Sequence, residues 1–305
     1  MKTRVISGVF LFLIIATVLL SGGYVLFAFT LFISIKAFFE LTRAMKVRVN
    51  LLDGETDQGK KADPENDPKV VTERRSVSEE IKNMNLLEVL GVFGIIGYYC
   101  VLLFAETQTF VMLTITLTIV AQLFAYVFSF PKFEARQVML TIFSFVYAPI
   151  MLGYLYLTRE LEFGFYIVWL IIISSWVCDT CAYFFGVMFG KHKLAPVLSP
   201  KKSIEGAIGG VFGSAVVGFL LAFLLNRFNL VPEKDAILWG FPLICAVGAM
   251  VSQVGDLAAS GIKRNFEIKD YGTLIPGHGG IMDRFDSVIF TAPMIYYLAV
   301  LILSL

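Results

Sequence analysis

The sequence predicts an all-α polytopic integral membrane protein. It should have about nine transmembrane helices, a cytoplasmic N-terminus, and a polar site at the cytoplasmic ends of the C-terminal helices. The chain is 57% hydrophobic with a mean hydropathy of +0.78, well above an ordinary soluble domain. Apolar runs of about 20 residues recur along it, each long enough to cross a bilayer. Lys and Arg gather in alternate connections, and no segment predicts a sheet or an internal repeat.

The apolar runs define the helices in order. The predicted spans cover about 4–21, 24–44, 86–104, 109–130, 138–157, 163–188, 206–225, 236–258 and 287–305. The first run has the length of a signal peptide. It lacks a small-residue cleavage site, however, and the second run follows within a few residues, so we assign it as a helix of the mature protein.

The distribution of basic residues predicts the orientation. With a cytoplasmic N-terminus, 21 of the 25 Lys and Arg residues fall on the cytoplasmic side. Arg159, Arg227 and Lys234 fall outside, and Lys36 lies within a span. Because cytoplasmic connections are enriched in Lys and Arg, the polar segment between the last two spans is predicted to face the cytoplasm.

Four segments follow from this division. They are N-terminal membrane helices at 1–49, a charged cytoplasmic linker at 50–85, middle membrane helices at 86–162, and a C-terminal membrane domain at 163–305 that carries the candidate catalytic residues. The linker is rich in charge and poor in aromatics, which favours a mobile segment. Its basic residues either contact anionic lipid or are simply solvated. The net charge of +1 gives no overall attraction to nucleic acid, so we expect no such partner.

The segment 260–286 places carboxylates, basic residues and a Gly-His-Gly-Gly turn between two apolar spans. Charges next to lipid are costly and usually functional, so this pattern suggests metal-assisted handling of phosphate at a membrane surface. Gly279 and Gly280 beside His278 allow a tight turn whose amides can approach a phosphate. A helix starting near Ile281 would favour an anion at its free amides.

Two carboxylates are candidate metal ligands. Asp256 belongs to a helical stripe with Ser252, Ser260 and then Lys263 or Arg264, so it either pairs with a Lys or binds a hard cation. Asp283 falls in the first turn of the last helix, where it either caps the helix or binds Mg²⁺. Arg284 beside it is either a surface partner or a bidentate phosphate ligand.

The sixth span and its exit loop form a third polar region. Asp179 and Tyr183 lie one helical turn apart, and the loop then supplies Lys191, Lys193, Lys201 and Lys202 before Glu205 opens the next span. The enrichment of Lys in cytoplasmic loops would by itself explain these lysines, but it does not explain Asp179 within the span. Cys178 and Cys181 form a CxxC with no second pair, which favours small packing residues over a zinc or redox site.

The run from Ser260 to Asp286 resembles the signature of the phosphatidate cytidylyltransferases (CDP-diacylglycerol synthases). The matching positions are Ser260, Lys263, Arg264, Lys269, Asp270, Gly272, Pro276, His278, Gly279, Gly280, Asp283, Arg284 and Asp286. The segments DTCAYFFG from Asp179 and GKHKLAP to EG at 190–206 are also similar to this family. Cys181 stands where the family pattern has Gly, and the 50–85 insert is less typical.

The resemblance implies a CTP-dependent nucleotidyltransferase that makes CDP-diacylglycerol and pyrophosphate from CTP and phosphatidic acid. It implies Asp256 and Asp283 as metal ligands for Mg²⁺, with a second cation left open, and catalytic Lys263, Arg264 and Arg284. The resemblance also implies a set of substrate-binding residues: Lys201, Lys202, Ser260, Lys269, His278, Gly279 and Gly280. Asp179, Glu205, Asp270 and Asp286 support the site, by binding a second cation or orienting basic groups. A bacterial-type inner membrane, with the site facing the cytoplasm, fits best, and a homodimer rests on family analogy.

Two alternatives remain open at the level of the sequence. One is a related membrane transferase acting on an isoprenoid or an ether lipid, which would share the basic site and differ in the lipid groove. The other is an ion-coupled transporter with Asp179 and Asp256 as intramembrane cation sites. The charges cluster at helix ends and no repeat is present, which favours an enzyme.

Overall fold

The computed structural model describes residues 2–48, 84–104, 108–231, 234–274 and 279–303. Nine helices make up most of this part of the chain. They are α1 (Lys2–Ser21), α2 (Gly23–Ala44), α3 (Leu86–Phe104), α4 (Gln108–Phe128), α5 (Ala135–Glu160), α6 (Gly164–Phe189), α7 (Ile204–Arg227), α8 (Lys234–Asn265) and α9 (Met282–Leu303). Single π-helical turns, Val146–Ile150 and Ile173–Val177, lie within α5 and α6.

The predicted fold class is confirmed: the protein is an all-α integral membrane protein. Eight helices, α2 to α9, are long and apolar enough to cross a membrane. In α1, the apolar part whose side chains are described is Ser7–Ser21, which is shorter than a full span. Large apolar side chains lie on the outer surface, such as Phe104 at 78% and Phe128 at 81% exposure. This exposure is expected of helices that face lipid. The predicted linker 50–85 lies outside the described residues except at 84 and 85.

The all-α fold includes one short β-hairpin that the sequence did not predict. The loop after α6 forms an antiparallel hairpin of β1 (Lys193–Ala195) and β2 (Ser199–Ser203), in which Lys193 is opposite Ser203 and Ala195 is opposite Ser199. Strands of three and five residues are too short to show a clear alternating pattern, so no periodic signal predicted them. Helix α8 also continues to Asn265, well beyond the predicted end of the eighth span at 258. The apolar run ends there, but the polar residues that follow it remain helical.

The described residues group into two compact units. The first draws its residues from Met1–Gly8, Leu31–Ile150 and Ile268–Asp283. In it α3 packs against α4 and the start of α5, and the Tyr99 hydroxyl bonds to Ser34 Oγ of α2 at 2.7 Å. The end of α2 is tied to α3 by Glu88, a fully buried carboxylate that accepts hydrogen bonds from Thr42 and Arg48.

The second unit draws its residues from Val9–Thr30, Met151–Glu267 and Arg284–Leu305. Its centre is α7, which packs along both α6 and α8. The approach of α7 to α6 requires glycine, since a Cβ at Gly206 would lie 2.6 Å from the carbonyl oxygen of Ala182. Across the other interface, Gln253 Nε2 donates to the Ala207 carbonyl at 3.1 Å. These contacts fix three helix ends around one polar pocket.

Candidate active site

A pocket of about 460 Å³ opens in the second unit between α6, the β-hairpin, α7 and α8. It combines carboxylates and lysines with the backbone of two close helices. Its polar lining consists of Asp179, Tyr183, Lys201, Lys202, Ser203, Gln253 and Asp256. The structure therefore brings together residues that lie far apart in sequence and that we predicted separately, from the sixth span and from the stripe on the eighth.

The central charge pair of this pocket joins Lys202 and Asp256. Their side chains form an ion pair and are 27% and 25% exposed, so water screens them only in part. The prediction left Asp256 with two roles, pairing with a Lys or binding a cation. In this structure it pairs with a lysine from the hairpin rather than one from its own helix.

Two more carboxylates lie within electrostatic range of Asp256. They are Asp179 of α6 and Asp286 of α9, and positive charge lies among them: Lys202 and Arg284 act on Asp179, and Lys263 acts on Asp286. Like charges repel one another, so the nearby cations offset the repulsion among the three carboxylates.

The hairpin is anchored to the start of α7, and this anchoring places its lysines. Ser203 caps the helix by accepting a hydrogen bond from the Gly206 amide at 3.2 Å. Glu205 accepts from the amides of Lys191 and His192 and contacts His192 Nδ1 at 2.6 Å. Glu205 therefore closes the base of the hairpin, while Lys201 is exposed and Lys202 is half-buried at the pocket.

An apolar groove adjoins the polar pocket. Its volume is about 560 Å³, and it lies between α7 and α8. It shares Leu194, Ala207 and Gln253 with the pocket. Its other lining residues are Ile208, Val211, Phe212, Ala215, Met250, Val254 and Leu257. A molecule with an anionic head and an apolar tail would match this pair of cavities.

The turn at 279–281, which we call the signature turn, belongs to the first unit, and the amides of Gly280, Ile281 and Met282 are hydrogen-bonded within the protein. Asp283 Oδ2 accepts from the amides of Tyr271 at 2.8 Å and Gly280 at 2.9 Å. Glu40 of α2 accepts from the amides of Ile281 at 3.1 Å and Met282 at 2.9 Å. We expected free amides here that would attract a phosphate. The structure corrects this, because the protein's own carboxylates take up those donors.

Most of the remaining predicted residues lie in the part of the chain that the structure describes. The stripe on α8 is helical throughout, with Ser252 buried and Ser260, Lys263 and Arg264 in its last turns. Lys269 and Asp270 are exposed in the loop that follows. Gly279 precedes α9 with φ of +85°, a value that favours glycine. His278 lies outside the described residues.

Cys181 departs from the family pattern, and its neighbour accommodates it. A Cβ placed on Gly213 of α7 would collide with the Cys181 side chain, so glycine on the opposite helix makes room for the sulfur. Cys178 is buried, and Cys181 is partly buried.

Glu40 and Gln253 were not predicted as site residues from the sequence. Glu40 carried a usable signal, since it is an acidic residue within an apolar span, and such residues are usually partnered. Gln253 carried a weaker signal, because side-chain amides occur in membrane helices without a fixed role. Its position became evident only from the packing of α7 on α8.

Fold and site together define a polytopic membrane protein with a charged pocket beside an apolar groove. A profile described as the cytidylyltransferase family matches residues 71–302. A phosphatidate cytidylyltransferase of Staphylococcus saprophyticus is 35% identical over 229 residues, which cover 73% of this chain and 85% of the relative. Those of Staphylococcus aureus (strain COL) and Staphylococcus haemolyticus are 37% and 34% identical, with the same coverage. The chain belongs to the cytidylyltransferase family.

Proposed function

We propose that the protein transfers a cytidylyl group from CTP to phosphatidic acid, forming CDP-diacylglycerol and pyrophosphate for phospholipid synthesis. The observation that carries this proposal is the apolar groove beside a pocket with lysines, which suits a lipid with a phosphate head. Family membership and the names of the relatives support it. The transporter alternative loses support because the chain belongs to a transferase family.

The chemistry joins two anions. An oxygen of the lipid phosphate forms a bond to the α-phosphorus of CTP, and the bond from that phosphorus to the bridging oxygen breaks, so pyrophosphate leaves with the electron pair. A phosphomonoester is already ionised near pH 7, so no general base is needed. The residues' task is to align the reactants and to offset their repulsion.

The basic groups divide according to their surroundings. Lys201 is exposed at the pocket and is placed to meet a phosphate that enters from solvent. Lys202 is paired with Asp256, so it neutralises the carboxylates as well as contacting substrate. Arg284 and Lys263 lie near Asp179 and Asp286, respectively, and we propose that they stabilise charge on the phosphates.

Divalent metal dependence is part of the proposal. Carboxylate oxygens are the ligands Mg²⁺ prefers, and it usually binds through one or two carboxylates together with substrate phosphates. Asp256, which is partly exposed at the pocket, fits that donor type. We propose Asp256 and Asp283 as the ligands, and a bound Mg²⁺ would supply Lewis-acid stabilisation of phosphate charge.

The test uses purified protein in detergent with radiolabelled phosphatidic acid. We expect CTP-dependent formation of CDP-diacylglycerol that EDTA abolishes and Mg²⁺ restores. Asp283→Ala should remove most of the activity; near-normal turnover by this variant would exclude its role as a ligand. Conversion of an isoprenoid phosphate but not of phosphatidic acid would favour the related transferase instead.

Location and assembly are also proposals. We propose a bacterial-type inner membrane with the pocket facing the cytoplasm, based on the Lys and Arg distribution. A phosphatase that folds only outside the cytoplasm should be active when fused after residue 230 and inactive when fused after residue 267. The reverse pattern would invert the orientation. A homodimer would be tested by light scattering of the purified protein.

A further inference from the structure

The start of α9 is held by a helix from the other end of the chain. Glu40 and Arg43 lie three residues apart on α2, so they project from one face of it. Glu40 accepts from the amides of Ile281 and Met282 at 3.1 and 2.9 Å. Arg43 Nη2 donates to the Tyr271 carbonyl at 3.2 Å. Helix α2 thus contacts both the signature turn and the carbonyl of Tyr271, and all of these residues belong to the first unit.

We infer that Glu40 is a positioning residue for the transfer reaction: through the amides of Ile281 and Met282 it fixes the turn that presents Asp283. The inference rests on the proposed function, and it assigns a role to a residue outside the segment that matches the family. In this role Glu40 contacts no reacting atom. It acts through Asp283, the next residue along the chain from Met282.

The fit of Glu40 to this turn is tight. Its side chain is 3% exposed, and two oxygens serve two amides, one each. A negative group at a helix N-terminus also interacts favourably with the helix dipole. Two of the three signature glycines make room for it: a Cβ at Gly272 would lie 2.5 Å from Glu40 Oε1, and a Cβ at Gly280 would collide with the carboxylate.

Asp283 depends on the same turn. Its Oδ2 is fixed by the amides of Tyr271 and Gly280, and the carbonyl of Tyr271 is in turn held by Arg43. If Glu40 is removed, the amides of Ile281 and Met282 lose their acceptor in a buried place, where the cost of an unsatisfied donor is greatest. The turn would then relax to satisfy them, and Asp283 would move with it.

A second glutamate of the same unit offers a matched control. Glu88 is fully buried and also accepts hydrogen bonds from neighbours, but these are Thr42, Arg48 and the amide of Asn85, away from the signature turn. If buried carboxylates matter only for folding, Glu40→Gln and Glu88→Gln should have the same consequences. A positioning role predicts that they differ.

The experiment compares Glu40→Ala, Glu40→Gln and Glu88→Gln in the full-length protein by hydrogen–deuterium exchange and steady-state kinetics. In Glu40→Ala we expect faster exchange in peptides covering 281–285. We also expect kcat to fall about a hundredfold, the usual effect of a misplaced catalytic group, with the KM for CTP changed by less than about threefold. Glu40→Gln, which keeps one acceptor oxygen, should be intermediate, and Glu88→Gln should change neither readout.

Unchanged exchange in both Glu40 variants, or unchanged kcat despite faster exchange, would overturn the inference. Equal losses in Glu88→Gln would do the same, because they would show a general folding effect. If Glu40→Ala does not fold, Glu40→Gln carries the test. The exchange readout does not depend on the substrate, so a wild-type protein that fails to convert phosphatidic acid would refute the proposed function and leave the contact test intact.

Discussion

Replacement of Lys202 by methionine tests whether the pocket is held together by its own charges. Methionine keeps most of the length of the side chain and removes the ammonium group. In the variant, Asp256 would retain two carboxylate neighbours, Asp179 and Asp286, and lose the cation it contacts. We expect the variant to be less stable than the wild type.

The size of the loss follows from the burial of the pair. Two unit charges about 4 Å apart attract by roughly 4 kcal/mol at an effective dielectric constant near 20. Desolvation of the ions offsets much of this attraction. With both side chains about three-quarters buried, we expect a net loss of about 1–3 kcal/mol in Lys202→Met. The neighbouring Lys201 is exposed, so Lys201→Met should change the unfolding free energy by less than about 0.5 kcal/mol.

The assay is SDS or thermal unfolding of the purified protein in EDTA, so that only protein groups compensate Asp256. A double-mutant cycle with Asp256→Asn isolates the pair. The double variant should be more stable than the sum of the two single losses implies, by about 0.5–3 kcal/mol. Additive losses, or equal losses in Lys201→Met and Lys202→Met, would refute the reasoning.

Two further predictions concern the helices around the pocket. Ala215→Phe should fill the apolar groove and raise the KM for long-chain phosphatidic acid about tenfold, as for about 1.4 kcal/mol of lost binding, with less effect on a dihexanoyl lipid. The exposed Phe223→Leu on the same helix is the control, and an equal effect on both lipids would contradict the groove assignment. Gly206→Ala should cost about 1–3 kcal/mol because its Cβ would meet the Ala182 carbonyl, whereas Gly261→Ala, with 3.6 Å to its nearest side chain, should be neutral or stabilising in the same melting assay.

The fold was largely predictable because hydropathy reports directly on helices in lipid. Runs of apolar residues located the helices to within a few residues at most ends. For α9 the apolar run was predicted to begin five residues late, at 287, whereas the glycine turn placed the helix start near Ile281, one residue early. The hairpin was missed because short strands stabilised by a capped helix leave no periodic pattern. The position of the hairpin depends on hydrogen bonds accepted by the side chains of Ser203 and Glu205. These bonds form only because α7 begins at this point in the chain.

The sequence predicted which polar residues form the site better than it predicted which residues they contact. The stripe on α8 and Asp179 were recognised as polar residues within apolar helices, and the structure places Asp179 and Asp256 on the same pocket. The partner of Asp256 was not predictable, because Lys202 reaches it from a hairpin that the sequence did not reveal. The anion at the start of α9 was foreseen as phosphate, but it is Glu40, some 240 residues away in sequence.

Helix α7 relates the lipid groove to the lysine pocket. Its first residues anchor the hairpin that carries Lys201 and Lys202, and residues 207–215 of the same helix line the groove over about 12 Å at 1.5 Å per residue. Because one continuous helix carries both features, the depth of the groove relative to the lysines is fixed by covalent geometry and by the close packing at Gly206. A lipid that fills the groove would therefore present its phosphate to the pocket without a conformational change in the protein. Part of the entropy cost of aligning the reactants would then be met by binding of the lipid in the groove.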